Sequence, residues 1–269
     1  MKIYAIICEY NPFHNGHLYQ LQKARELGAD AILCIMSGNF VQRGEASVMD
    51  KYTRAKHAVM AGADIVIELP TVFATSNAEL FAKGAVKLLS SIPNVSNLCF
   101  GAENADKNAF LSTAQLLQNE PEEISKALKM HMANGMSYAK ARALAWGNKI
   151  PQDFLSAPNN ILGLEYTKAI QEYNANIDIS PILRIGGGYS ETDLKDNFSS
   201  ASAIRNAIKE NAVIDGNIPD FVKNDLPKAL ETNLDSLEKY GIIYSWISNF
   251  LHFSKIMEFI PHLNFIFSK

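Results

Sequence analysis

The strongest constraint on how this chain can fold is a junction near its start. The apolar run Ile3-Tyr4-Ala5-Ile6-Ile7 reads as a buried strand, and Leu18, Leu21, Gln22, Arg25 and Glu26 soon follow at helical spacing. Between them stands Cys8-Glu9-Tyr10-Asn11-Pro12-Phe13-His14-Asn15-Gly16-His17. Two histidines, with Gly16 between them, therefore sit where a strand ends and a helix begins. Backbone N–H groups at a helix N-terminus are unpaired and partially positive, so anions bind there. Gly16 removes a side chain where a phosphate must approach the backbone. The two imidazoles can donate hydrogen bonds to phosphate oxygens.

The rest of the first hundred residues repeats the alternation. Strands are expected over 2–7, 31–36, 64–69 (ended by Pro70) and 97–100, and helices over 16–27, from the Asp50 cap to about Ala61, and over 77–91. Strands without polar alternation, separated by helices, predict a parallel sheet covered on both faces. Residues 106–175 read as mostly helical, and Ile182–Ile185 as a further strand. The run Gly186-Gly187-Gly188 reads as a flexible loop, and 200–209 as a helix with a polar start. The expected fold class is α/β, with a main domain over 1–208 and a short helical C-terminal segment over 209–269. The aromatic stretches Ile242–Trp246 and Phe259–Phe267 suit either a helical appendage on the main domain or an incomplete domain with an exposed apolar face, available for homo-oligomer contact.

Composition narrows the partners. Hydrophobic residues make up 48% of 269, enough for a substantial core. A net charge of −3 gives no global attraction to nucleic acid, so RNA contact needs a local basic patch. Three cysteines, Cys8, Cys34 and Cys99, each in or at the end of an expected strand, predict buried reduced thiols in a cytoplasmic protein. No apolar run reaches membrane-spanning length, no signal peptide is expected, and no C-x-x-C pair or other pattern assigns a metal ligand.

Ligands of open parallel sheets bind beyond the carboxyl ends of the strands. By that rule Ser37, Gly38 and Asn39, after the second strand, and Arg43 with its planar fork face the same cleft as His14; a turn with a solvated arginine is the alternative. Gly101, after the fourth strand, is either a turn glycine or a backbone platform for a ligand. Asn159 and Asn160 suit an N-cap. Arg184, closing a strand, is oddly placed unless it enters the cleft. Glu68 is a strand-end carboxylate with no spacing that makes it a general base.

Several strings together resemble one family. Glu9 to Leu18 carries the H-x-G-H signature of a nucleotidyltransferase superfamily. With Met36–Glu45, Ile67–Pro70, Phe100–Asn104 and Pro158–Gly163 in the same order, the chain from its start to about Ile208 resembles the bacterial tRNA(Met) cytidine acetate ligases. The resemblance implies a Rossmann-like nucleotidyltransferase sheet with a helical insertion. It implies an ATP site made by Ile7, Cys8, Glu9, Tyr10, Asn11, Pro12, Phe13, His14, Asn15, Gly16, His17 and Leu18, joined by Gly101, Asn159 and Arg184. Ser200-Ala201-Ser202-Ala203-Ile204-Arg205 resembles the superfamily's second signature, with Ser200, Ser202 and Arg205 on the outer phosphates; Ala203 and Phe198 depart from the usual pattern. His14 and His17 become catalytic, and Ser37, Gly38, Asn39 and Arg43 the acetate or substrate cleft.

The implied reaction joins acetate to ATP, with Mg²⁺, and passes the acetyl group to N4 of the wobble cytidine of elongator tRNA(Met). Family members continue into a basic helical C-terminal region that helps hold tRNA. Here the residues from Asn206 onward carry six Lys/Arg against eight Asp/Glu, so adenylation with weak tRNA binding is one expectation. The alternatives are a related adenylyltransferase with another small substrate and a non-catalytic nucleotide-binding protein.

Overall fold

The computed structural model describes residues 1–185 and 197–226. Five parallel strands form one sheet in the order β3-β2-β1-β4-β5: β1 is Ile3–Cys8, β2 Ala31–Ser37, β3 Ile65–Leu69, β4 Val95–Ala102 and β5 Asp178–Leu183. The chain winds outward from β1 through β2 to β3, then returns to the other side of β1. The strand order therefore reverses between β1 and β4, the position where such sheets open a crevice.

Alternation along β1 assigns the two faces. Ile3, Ala5 and Ile7 point to one core and Tyr4, Ile6 and Cys8 to the other. The first core is covered by α4 (Ala78–Ser90), α5 (Lys107–Gln118) and α9 (Pro158–Glu172), through Phe81, Phe110 and Leu164 among others. The second is covered by α1 (Asn15–Glu26), α2 (Lys51–Met60) and α10 (Ala201–Lys209), through Leu21, Ala58 and Ile204. Past the expected boundary at 208, Ile214, Ile218, Val222 and Leu226 stay in this second core. The excursion between β4 and β5 adds α6 (Glu122–Ala133), α7 (Tyr138–Trp146) and α8 (Gln152–Ser156), so residues 106–175 are helical as expected.

Some elements differ from expectation. β5 begins at Asp178 and ends at Leu183, not over 182–185. Pro181 and two polar residues hide it from a pattern search, yet an edge strand tolerates proline because its outer N–H needs no partner. β4 runs two residues further at each end than expected, placing Gly101 inside the strand. Pro70 ends β3 but also opens a short helix, α3 (Thr71–Ala74), which is not among the expected elements. Gly186–Gly188 and the aromatic stretches at 242–246 and 259–267 lie outside the described residues.

Candidate functional site

A cavity of about 190 Å³ opens over the carboxyl ends of β1 and β4. It bridges the two faces of the sheet. From the second-core side come His14 and His17 of the α1 start and Ser200, Ser202 and Arg205 of the α10 start. From the first-core side come Phe81, Leu162 and Tyr166, with Phe100 of β4. Gly101, Asn159 and Arg184 close the side nearest β5.

The two histidines cap α1 reciprocally. The Gly16 backbone N–H donates to His14 Nδ1 at 3.0 Å, and the His14 N–H donates to His17 Nδ1 at 3.3 Å. The rings stack with centroids 3.6 Å apart and 25° between planes. Since Nδ1 is an acceptor in both, the proton of each neutral ring sits on Nε2. Burial lowers the His14 pKa to about 3, with Arg184 and Arg205 adding to the effect. Burial, then His14 and Arg184, holds His17 well below the usual imidazole range. Both rings are thus neutral donors near pH 7. Gly16 has a local reason beyond ligand approach: a Cβ there would stand 2.8 Å from His14 Cε1.

The other basic groups are anchored. Arg205 donates from Nη1 to the Asn11 carbonyl at 2.9 Å and from Nη2 to Ser202 Oγ at 3.2 Å. Ser200 caps α10, its Oγ accepting from Ala203 N–H at 3.1 Å. Arg184 Nη1 donates to Asn159 Oδ1 at 3.4 Å, and Asn159 Nδ2 donates to Glu103 Oε1 at 2.6 Å. Asn159 and Asn160 lie within the first turn of α9; the N-cap is Ala157 with Pro158 at the first helical position, which corrects the expected asparagine cap. Asn160 is fully buried and accepts from the Glu103 and Asn104 N–H groups, fixing the loop after β4.

The expected site residues divide by placement. Ile7, Cys8, Glu9, Tyr10, Asn11, His14 and His17 line the cavity with Gly101, Asn159, Arg184, Ser200, Ser202 and Arg205, while Gly16 lines a smaller adjoining one. Pro12, Phe13, Asn15 and Leu18 line neither. Phe13 is wholly buried, and Asn15 Nδ2 donates to the Asn197 and Gly216 carbonyls. Ser37, Gly38 and Asn39 also lie outside the lining. Asn39 instead holds the loop after β2 by accepting from Lys51 N–H and Ser47 N–H. Arg43 sits in the 3₁₀ turn Gln42–Gly44, and its side chain is outside the described atoms. Glu68 pairs with Lys51 at 2.5 Å, away from the cavity.

Sequence reasoning missed Arg54. It is wholly buried on α2, and its guanidinium donates to the carbonyls of Glu9, Ser37, Gly38 and Met49. Burial lowers its pKa to about 10, which leaves it charged. It ties the ends of β1 and β2 together beneath the site. The signal was its place beside His57 and Ala58 on the inward face of α2. Phe81 and Tyr166 were missed because their spacing is that of ordinary core.

A parallel sheet with this strand order, a phosphate-suited helix start and a second polar helix start on the same face of the crevice define an H-x-G-H nucleotidyltransferase. The HIGH Nucleotidyl Transferase family model matches residues 1–263. A tRNA(Met) cytidine acetate ligase of Thermoanaerobacter sp. is 44% identical over 92% of this chain and 64% of its own length. One of Clostridium botulinum is 41% identical over 96% of this chain and 67% of its own. Among solved structures, Thermotoga maritima TmcAL in apo form superposes with a TM-score of 0.79 at 37% identity, over 86% of this chain and 57% of that one. The same protein bound with alpha-thio ATP gives 0.76. The chain belongs to the HIGH nucleotidyl transferase family, in its tRNA(Met) cytidine acetate ligase branch. It spans about two thirds of the length of the curated relatives it matches.

Proposed function

We propose that this chain forms acetyl-AMP from acetate and ATP and passes the acetyl group to N4 of the wobble cytidine of elongator tRNA(Met). The observation that carries the first step is the capped pair of neutral imidazoles, each with its proton on Nε2, lining a cavity that Arg184 and Arg205 also line. The alpha-thio ATP held by the Thermotoga protein supports a nucleotide in that cavity.

Acetate is already a carboxylate near pH 7, so the attack on the α-phosphorus needs no base. Rate then depends on alignment and on stabilising charge at the phosphate oxygens. The imidazole donors serve the α-phosphate side. The α10 start, with Ser200, Ser202 and Arg205, serves the departing pyrophosphate. Ser37, Gly38 and Asn39 would shape the substrate cleft only indirectly, through the β2 loop. Among the described residues no three His, Cys, Asp or Glu side chains gather as a metal site, so Mg²⁺ arriving with ATP would be held chiefly by the nucleotide's own phosphates and would supply charge neutralisation there. No helix among the described residues is long and apolar enough to cross a membrane; a cytoplasmic location follows from a tRNA substrate.

The test is acetate-dependent exchange of labelled pyrophosphate into ATP, followed by nucleoside analysis of elongator tRNA(Met) incubated with acetate and ATP. Exchange and acetylcytidine are expected. His14→Ala or His17→Ala should reduce exchange roughly 10²–10³-fold, the usual cost of one such donor. Undiminished exchange in both variants would contradict the mechanism.

A further inference from the structure

We propose that Glu9 is the general base of the second half-reaction, taking a proton from the cytidine N4 amine as it attacks the acetyl carbonyl. The inference rests on the acetate-ligase reading above. In that step the N4–carbon bond forms and the bond from the acetyl carbon to the AMP phosphate oxygen breaks. The oxygen leaves with the electron pair, and the amine proton goes to the Glu9 carboxylate. Unlike acetate, an exocyclic amine conjugated to its ring is a weak nucleophile and must shed a proton to give the amide. A base is therefore needed in the second step although none is needed in the first.

Elimination within the cavity points to Glu9. His14 and His17 have no free lone pair, because each Nδ1 accepts a backbone N–H and each Nε2 carries the proton. Arg184 and Arg205 are cations. Burial raises Cys8, Tyr10 and Tyr166 well above their ordinary values, so these groups stay protonated. Glu9 is the one carboxylate among the described residues that line the cavity.

Its position suits the role. Glu9 directly follows β1 at the reversal of strand order, between the polar helix starts on one face and the wall of Phe81, Phe100 and Tyr166 on the other. Oε1 accepts from Gln42 N–H at 2.9 Å, and its own carbonyl accepts from Arg54, so both ends of the residue are held. No described residue donates to Oε2. Burial raises the Glu9 pKa, aided by Glu45 and opposed by the Gln42 N–H, Arg205 and Arg54. A raised carboxylate is a stronger base, and general bases typically contribute about 10²–10⁴-fold.

The experiment compares the wild-type chain with Glu9→Gln, which keeps the oxygen that accepts from Gln42. Two rates are measured: acetate-dependent pyrophosphate exchange, and single-turnover acetyl transfer to unmodified elongator tRNA(Met) and to free cytidine. The ratio of transfer to exchange should fall about 100-fold or more in the variant. Wild-type transfer should rise with pH through an acid limb above the ordinary carboxylate range, and Glu9→Gln should lack that limb. Exchange and transfer falling in parallel, or the limb surviving in the variant, would overturn the assignment. So would wild-type exchange with no transfer to either acceptor. Absence of wild-type exchange would instead defeat the acetate-ligase reading itself.

Discussion

His14 caps α1 through Nδ1 and keeps its proton on Nε2, so substitutions can separate capping from donation. His14→Ala removes the cap acceptor and should lower stability by about 1 kcal/mol in urea unfolding, whereas His14→Asn keeps an acceptor and should recover most of that. Both should lose adenylation alike, since neither has a donor in the place of Nε2. The depressed pKa values also set an acid dependence. The unfolded rings titrate near 6.5 and the folded His14 near 3, so the unfolded state binds more protons in between. Their stabilisation is complete above about pH 6.5 and is lost as pH falls toward 3. Urea midpoints should fall with acid across that window, with a shallower slope in His14→Asn; identical slopes would refute the buried neutral ring. His57, also lowered by burial, acts in the same direction and remains in the variant. Arg54 makes the opposite case, a buried cation whose hydrogen bonds go to backbone carbonyls, with Glu9, Asp50 and Glu68 near enough to favour its charge. Arg54→Met should cost about 3 kcal/mol or more, because several buried acceptors lose their donor together.

At the scale of elements, α9 meets β4 through a glycine. A Cβ on Gly163 would lie 2.4 Å from Phe100 and 2.7 Å from Phe110. Gly163→Ala gains about 1 kcal/mol of helix propensity but forces an overpacked core costing about 1–3. Overpacking should win: a net loss of about 1 kcal/mol by urea unfolding, with weaker ATP binding because Phe100 also lines the cavity. A more stable Gly163→Ala would show that the rings have room to move. What the sequence revealed of the elements follows the same physics. β1 and β2 were legible to within a residue or so because buried parallel strands are uninterrupted apolar runs. β5 was displaced because an edge strand can carry Asp178, Ser180 and Pro181 without breaking the sheet. α3 is hidden in the sequence because Pro70 both stops β3 and opens the helix.

For the whole molecule, the crevice between β1 and β4 gathers groups far apart in the chain. His14 and His17, Gly101, Asn159, Arg184 and the serines of α10 meet only because the strand order reverses there. The segments that carry distinctive strings were therefore legible, as each is local. Arg54, Phe81 and Tyr166 were not, since their roles arise from which faces of α2, α4 and α9 turn toward the strand ends. Strand-end topology brings the loop at 37–39 near, but β2 is displaced from the reversal by the width of β1, which leaves Ser37, Gly38 and Asn39 outside the cavity lining. The proposed adenylation requires neutral imidazoles that donate to nucleotide phosphate. Nitrogen-15 resonances of His14 and His17, recorded from pH 5.5 to 8 with and without ATP, test it most directly. Both rings should remain neutral with the proton on Nε2 throughout, and both Nε2 signals should shift when ATP binds. Rings that become cationic within that range, or Nε2 signals indifferent to saturating ATP, would contradict it.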